Sequence, residues 1–261
     1  MNKYSYSKIQ EFINCPYKYK LLYIDKLKRE KSKYTSFGLS IEDSLEFVYN
    51  NHELYKHTQD YVIHLLKLFW IPKQYKKEYK KEETYSFLGY ASKKEEKEYF
   101  FKGVSYIYEY FTYNKPERQL AFELAFEVPY KNWMLTGRID HIKSLDNNII
   151  LIDNKVSSYI IYNIVDSIQL GIYLYALKVL YPRLPVNKAG FYYIPLQKSS
   201  YENVSNFNIK KTLKTIENTI LLIEQKTRDL NFQPKVNSFC KFCRFKNEPT
   251  NEENYEKCRA C

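Results

Sequence analysis

Two acid-bearing apolar segments joined by one polar turn constrain this chain more than anything else in it. Leu135-Thr136-Gly137-Arg138-Ile139-Asp140-His141-Ile142 is followed, across the turn 144–148, by Ile149-Ile150-Leu151-Ile152-Asp153-Asn154-Lys155. The segments Met134–Lys143 and Ile149–Val156 read as strands, and Phe122–Tyr130 reads as a third. Asp146-Asn147 suits a two-residue hairpin loop, because Asp and Asn tolerate positive φ. That loop sets Asp140 opposite Asp153, with Cβ atoms roughly 4.5–5.5 Å apart. Two carboxylates so placed repel unless a cation or a proton intervenes. Lys155, two residues past Asp153, projects from the same strand face.

Two acids and a lysine at one strand end suit metal-assisted phosphodiester hydrolysis. Carboxylates hold a hard cation, which polarises a phosphate and acidifies a bound water. The lysine orients that water or neutralises developing charge. Taken alone, the same residues also describe an ordinary hairpin with exposed charges.

Around this hairpin the pattern is mixed. Residues 5–25 read as a helix, with Ser7 as its cap, Ile9, Phe12 and Ile13 as its apolar stripe, and Pro16 interrupting it or opening a second helix. Ile41, Leu45 and Val48 mark a helix over 38–50. Residues 61–113 are helical in pattern, with Lys/Glu runs at 76–83 and 93–98 that read as solvated faces or an exposed connection. After the hairpin come a helix over 164–181, a strand over 189–196 and a long helix over 209–230. A cysteine-bearing tail follows Pro234. The expected class is mixed α/β, a central mixed sheet flanked by helices. We read it as one domain, 1–261, divided into N-terminal helices (1–36), a helical region (37–118), a core (119–200), a long helix (201–233) and a cysteine tail (234–261).

Composition excludes several alternatives. The six glycines, at 38, 89, 103, 137, 171 and 190, are too dispersed for a dinucleotide fingerprint or a phosphate loop, so no nucleotide motor is expected. His52 and His57 do not form a zincin motif, since Lys56 holds the position a second histidine would need. The start has no apolar signal region, and the longest mostly apolar stretch, Leu170–Tyr181, is broken by Lys178 and too short to span a bilayer. A soluble cytoplasmic protein without membrane contact is the expectation. A formal charge of +11 and 28 Tyr with 16 Phe fit a nucleic-acid partner. An AT-rich genome produces the same Lys, Asn, Ile and Tyr excess whatever the protein does.

Four motifs in order then resemble the RecB-like branch of the PD-(D/E)XK nuclease superfamily. Tyr6–Tyr19, with Cys15 and Pro16, resembles its opening helix. Gly137-Arg138-Ile139-Asp140 with Ile152-Asp153-Asn154-Lys155 resembles its catalytic hairpin, Gln169-Leu170-Gly171-Ile172-Tyr173 its QxxxY helix, and Phe239-Cys240-Lys241-Phe242-Cys243 its terminal cysteine knot. In layout the nearest relatives are exonucleases of CRISPR adaptation, phage nucleases and the AddB-type nuclease domain. The resemblance implies a restriction-endonuclease-like core with a helical N-terminal insertion, and a Mg²⁺- or Mn²⁺-dependent DNA exonuclease acting on ends or single strands. Protein partners would be those of a CRISPR-adaptation or recombination complex. Asp140, Asp153 and the main-chain carbonyl of Asn154 would be metal ligands and Lys155 the catalytic lysine. Gln169 and Tyr173 would face the site or the DNA backbone; otherwise they form a polar edge beside a core stripe of Ile168, Ile172, Tyr175 and Val179. Glu42 stands where the family usually offers a histidine ligand; it is either an oxygen ligand or a surface residue. His141 should point away from Asp140.

For the cysteines, two arrangements compete. The resemblance implies Cys15, Cys240, Cys243 and one of Cys258 or Cys261 around a [4Fe–4S] cluster. Cys240, Cys243, Cys258 and Cys261 alone would instead form a zinc site. Two functional alternatives stay open beside the nuclease: a catalytically weak DNA-binding or adaptor subunit, and a zinc-stabilised nucleic-acid-binding protein.

Overall fold

The computed structural model describes residues 1–27, 32–51, 58–72, 89–114, 119–243 and 245. The charge run 76–83, His52, His57, Cys258 and Cys261 lie outside these residues. The structure is built on a six-stranded mixed sheet with helices on both faces. Its centre is the expected hairpin: β3 (Trp133–Leu145) and β4 (Asn148–Lys155) pair antiparallel from Leu145↔Asn148 to His141↔Ile152. Asp146 and Asn147 both take positive φ, 48° and 61°, as a two-residue turn that follows strand twist demands. A second two-residue loop, Lys131-Asn132, joins β3 to β2 (Gln119–Tyr130), which runs antiparallel along β3's other edge. Beyond β4 lie β5 (Val186–Tyr193), parallel to it, and β6 (Lys198–Asn203), antiparallel to β5.

The helices follow the apolar stripes. One face of the sheet is covered by α1 (Tyr6–Asn14), α2 (Pro16–Tyr19, continued as one wide turn over Lys20–Ile24), α6 (Ile168–Leu180) and α7 (Ile209–Asp229), which bury Ile9, Phe12, Leu170, Leu174, Ile216 and Ile220 against Leu135, Ile139 and Leu151. The other face is covered by α3 (Lys33–Asn51), α4 (Gln59–Phe69) and α5 (Lys93–Tyr113), whose Ile41, Leu45, Leu65 and Ile107 pack on Ile150 and Ile152. Covering both faces is what a strand reading Ile149-Ile150-Leu151-Ile152 requires, since adjacent side chains point to opposite sides. No described helix is long and apolar enough to cross a membrane.

Several details correct the sequence reading. Residues Asn2–Ser5 form a strand, β1, parallel to the first part of β3. Ser5, not Ser7, caps α1, its Oγ accepting from the Lys8 amide at 3.3 Å. The strand expected at 189–196 begins at Val186 and stops at Tyr193, because Pro195 lies in a 3₁₀ turn over Ile194–Leu196. Helix α3 starts at Lys33 and β6 spans residue 200, so the divisions at 36/37 and 200/201 cut through single elements. On α6 burial is wider than the expected stripe: Ile172 is buried as expected, Tyr175 is only partly covered and Val179 exposed, while Leu170, Gly171, Tyr173, Leu174 and Ala176 are buried as well. Gly171 lets α7 come close, since a Cβ there would meet Thr212 at 2.5 Å.

Candidate active site at the parting of two strands

The site exists because β3 cannot pair with β4 along its whole length. β3 gives one edge to β1 over Trp133–Thr136 and then to β4 over His141–Leu145, and Gly137–Asp140 lies between. The ladder with β4 keeps the expected register but stops at His141↔Ile152, one pair short of Asp140 and Asp153. Asp140 is therefore not a ladder partner of Asp153. Its Oδ2 accepts the main-chain amide of Asn154 at 2.9 Å instead. β1 already holds the first part of the same β3 edge, and two carboxylates this close also repel, so the strands part here.

Asp153 is 1% exposed, and its Oδ2 is held by a charge-assisted contact with the Lys155 ammonium. From Lys155 a chain of contacts runs to α6. Lys155 Nζ donates to Gln169 Oε1 at 3.0 Å, and Gln169 Nε2 donates to Tyr173 Oη at 3.0 Å. Gln169 and Tyr173 are one turn apart, so one helix face presents both. The Ser167 hydroxyl starts that helix by accepting the Leu170 amide at 3.3 Å. The five expected residues Asp140, Asp153, Lys155, Gln169 and Tyr173 are thus brought together.

The electrostatics follow from burial and crowding. Burial pushes Asp140 well above the usual carboxylate range, and Asp153, Glu123 and Glu42 push it further. Burial likewise raises Asp153 against the opposing pull of Lys155. Lys155 is pulled down by burial, but the Asp153 and Asp140 charges outweigh this and hold it above its ordinary value. It is an ammonium at neutral pH. Tyr6 of α1 senses the same charges, with burial raising it, Lys155 lowering it and Asp153 raising it.

Glu42 belongs to this cluster rather than to the surface. Its carboxyl is pushed up to about 7 by burial and by the Asp153 charge. The sequence reading missed Glu123. It lies between the pairs Phe122↔His141 and Leu124↔Ile139, opposite Asp140 across β2, in a left-handed conformation with φ 49°. Such a backbone costs a non-glycine residue roughly 1–2 kcal/mol. Burial and Glu46 push Glu123 to about 7, and Arg138 lies 3.5 Å from both Glu46 and Glu123. His141 turns to the other face as expected. Buried between Tyr49 and Phe122 and contacting Gln119, it is pushed down to about 3, first by burial and then by Lys143.

Among the described residues, no group of three or more His, Cys, Asp or Glu side chains is arranged to hold a metal ion. The donors around the parting still suit one. A buried carboxylate and a second crowded against it are groups that a hard cation relieves, and every donor is oxygen. Asp140, Asp153 and the Asn154 carbonyl would hold it, with Glu42 beside them.

Segments from near the two ends of the sequence, residues 13–15 and 235–240, lie against each other. Lys235 Nζ donates to the Ile13 carbonyl and Asn237 Nδ2 to the Asn14 carbonyl, each at 2.9 Å. The Lys235 amide lies 3.5 Å from Cys15 Sγ and the Asn237 amide 3.4 Å from Cys240 Sγ. Cys15, Cys240 and Cys243 are free thiols. Burial pushes Cys243 up, and the charges of Cys15 and Cys240 add to it.

No curated protein matches the chain significantly. Twelve chains of solved structure are similar to it. One of them, the crystal structure of SSO0001, is 20% identical and aligns over 67% of this chain and 77% of its own, with a TM-score of 0.32. The model of the PD-(D/E)XK nuclease superfamily matches residues 3–247, from the first strand to beyond the CxxC pair. That span takes in the parted hairpin, the Gln169–Tyr173 helix and both sheet faces, and the chain belongs to this superfamily of nucleases.

Proposed function

We propose that the chain is a Mg²⁺- or Mn²⁺-dependent deoxyribonuclease that works from DNA ends. The observation that carries the reading is Asp153, 1% exposed and ion-paired to a lysine that Gln169 also holds. A divalent cation bound between Asp140 and Asp153 would supply Lewis-acid polarisation of the phosphate. Lys155 contributes its own charge. Fixed by Asp153 and Gln169, it is preorganised to meet negative charge developing on the phosphate without first having to reorient. Tyr173 fixes the Gln169 amide, and Tyr6, at the start of α1, lies near enough to feel the Lys155 and Asp153 charges. End-directed action, and a role in CRISPR adaptation, recombination or phage DNA processing, rest on the motif resemblance.

The test compares linear DNA with covalently closed circles in Mg²⁺, in Mn²⁺ and in EDTA. Linear DNA should be degraded in either metal and spared in EDTA, and circles should survive. Cleaved circles would make the enzyme an endonuclease. If neither substrate is cut in either metal, the chain is a DNA-binding relative that keeps the fold.

We further infer that Cys15, Cys240 and Cys243 bind a [4Fe–4S] cluster with a fourth cysteine from Cys258 or Cys261. Their convergence from opposite ends of the chain supports this over zinc held by the tail alone. The tail after Pro234 has little apolar material, so ligand bonds would order it. Anaerobically purified Cys15→Ser should lose iron and melt earlier, whereas full metal content in that variant, with zinc lost in Cys261→Ser, points to the zinc site.

A further inference from the structure

We propose that Tyr159 and Tyr162 form a stacking platform for the unpaired bases of single-stranded DNA entering the site. The inference rests on the nuclease reading above and adds the residues that receive an unpaired strand. Both tyrosines lie on the connection that leaves β4 at Lys155 and enters α6 at Ser167, just before Gln169. Tyr159 is four positions beyond Lys155, so their Cα atoms are at most about 13–14 Å apart. Among the described residues they are the two most exposed aromatics, at 76% and 88%. The chain has 28 tyrosines, and others such as Tyr173 and Tyr193 are almost fully buried. Abundance of tyrosine alone does not place two bare rings on this connection.

The connection is held firmly enough to present them. The Ile161 amide donates to the buried Tyr193 hydroxyl at 2.8 Å, and the Tyr159 amide to Ser157 Oγ at 3.0 Å. Ile164 is buried, and Ile160, Ile161 and Val165 pack against the core. Asp166 is tied to Asn163 at 2.7 Å and to Lys211 of α7 at 3.0 Å. The aliphatic residues therefore anchor the backbone while the aromatic ones face solvent. Every base offers a π-face, so such rings bind unpaired strands with little regard to sequence. Bases stacked inside a duplex cannot offer that face, so the platform discriminates against duplex.

The test measures binding of fluorescent oligo(dT) and of a blunt duplex without divalent metal, by anisotropy, for wild type and the Tyr159→Ala/Tyr162→Ala double variant. Stacking on one base corresponds to roughly 5- to 150-fold in affinity. The double variant should lose at least about tenfold on oligo(dT) and less than about twofold on duplex. Tyr159→Phe/Tyr162→Phe should bind like wild type, since the ring and not the hydroxyl does the stacking. Melting temperature should be unchanged, because neither ring is packed. Oligo(dT) binding within about twofold of wild type in the double alanine variant overturns the proposal and leaves the rings to a protein partner. Equal losses on oligo(dT) and duplex overturn it as well. A wild type that binds as expected but never cleaves overturns the nuclease reading and leaves this one standing.

Discussion

Asp153→Asn should lower cleavage of linear DNA by roughly 10²- to 10³-fold while the protein stays folded. Asparagine keeps the shape of the side chain and can still accept from Lys155, so the Lys155–Gln169–Tyr173 chain survives. What disappears is the negative charge that a cation needs. Lys155→Ala should lose activity to a similar degree but behave differently in a melt. It leaves a carboxylate 1% exposed with no partner, and breaking a buried pair from one side costs about 3–5 kcal/mol unless the survivor takes a proton. Asp153→Asn, which keeps an acceptor for Lys155, should therefore melt closer to wild type in EDTA than Lys155→Ala does. Wild-type cleavage by Asp153→Asn would show that the active site lies elsewhere.

The hairpin was legible because its register depends on a local signal. Asp146-Asn147 fixes the turn, and each later pair follows from it. What a local rule cannot contain is the point where pairing fails. The strands part at Asp140 and Asp153 because β1, more than a hundred residues earlier in the chain, already occupies the first part of the same β3 edge. Asn2–Ser5 buries only Tyr4, so no alternation announces it as a strand. β6, Lys-Ser-Ser-Tyr-Glu-Asn, is equally silent. Glu123 was missed for a different reason. The turn Lys131-Asn132 sets it opposite Asp140 by the same pairing rule that sets Asp140 against Asp153, and Lys131 takes positive φ as Asp146 does. That signal was in the sequence and was not read. The wider burial of α6 includes Gly171 against Thr212, a contact that only the packing of α7 reveals.

The crowded carboxylates make stability depend on pH in a direction opposite to most proteins. Glu42 and Glu123 are each raised to about 7, from ordinary values near 4.5. A carboxyl raised on folding binds its proton more tightly in the native state. The stability it confers is fully present below the unfolded pKa and is lost as pH rises through the folded one. His141 works the other way, being pushed down to about 3, but its effect is nearly spent above pH ~6.5. Between pH ~6.5 and ~8 the acids therefore dominate, and each contributes a loss of about 1 kcal/mol. Asp140 is shifted in the same sense and adds to it. In EDTA the melting temperature should fall by about 4–8 °C over that interval. Mg²⁺ at saturating concentration should reverse the fall at pH ~8, because a ligand that binds only the native state stabilises it by about 2.7 kcal/mol at a hundred times its dissociation constant. Glu123→Gln removes one of the repelling charges and should flatten the slope without metal. A wild-type melting temperature that stays level from pH ~6.5 to ~8 in EDTA would mean that these carboxylates do not press on one another. The metal would then have no repulsion to relieve.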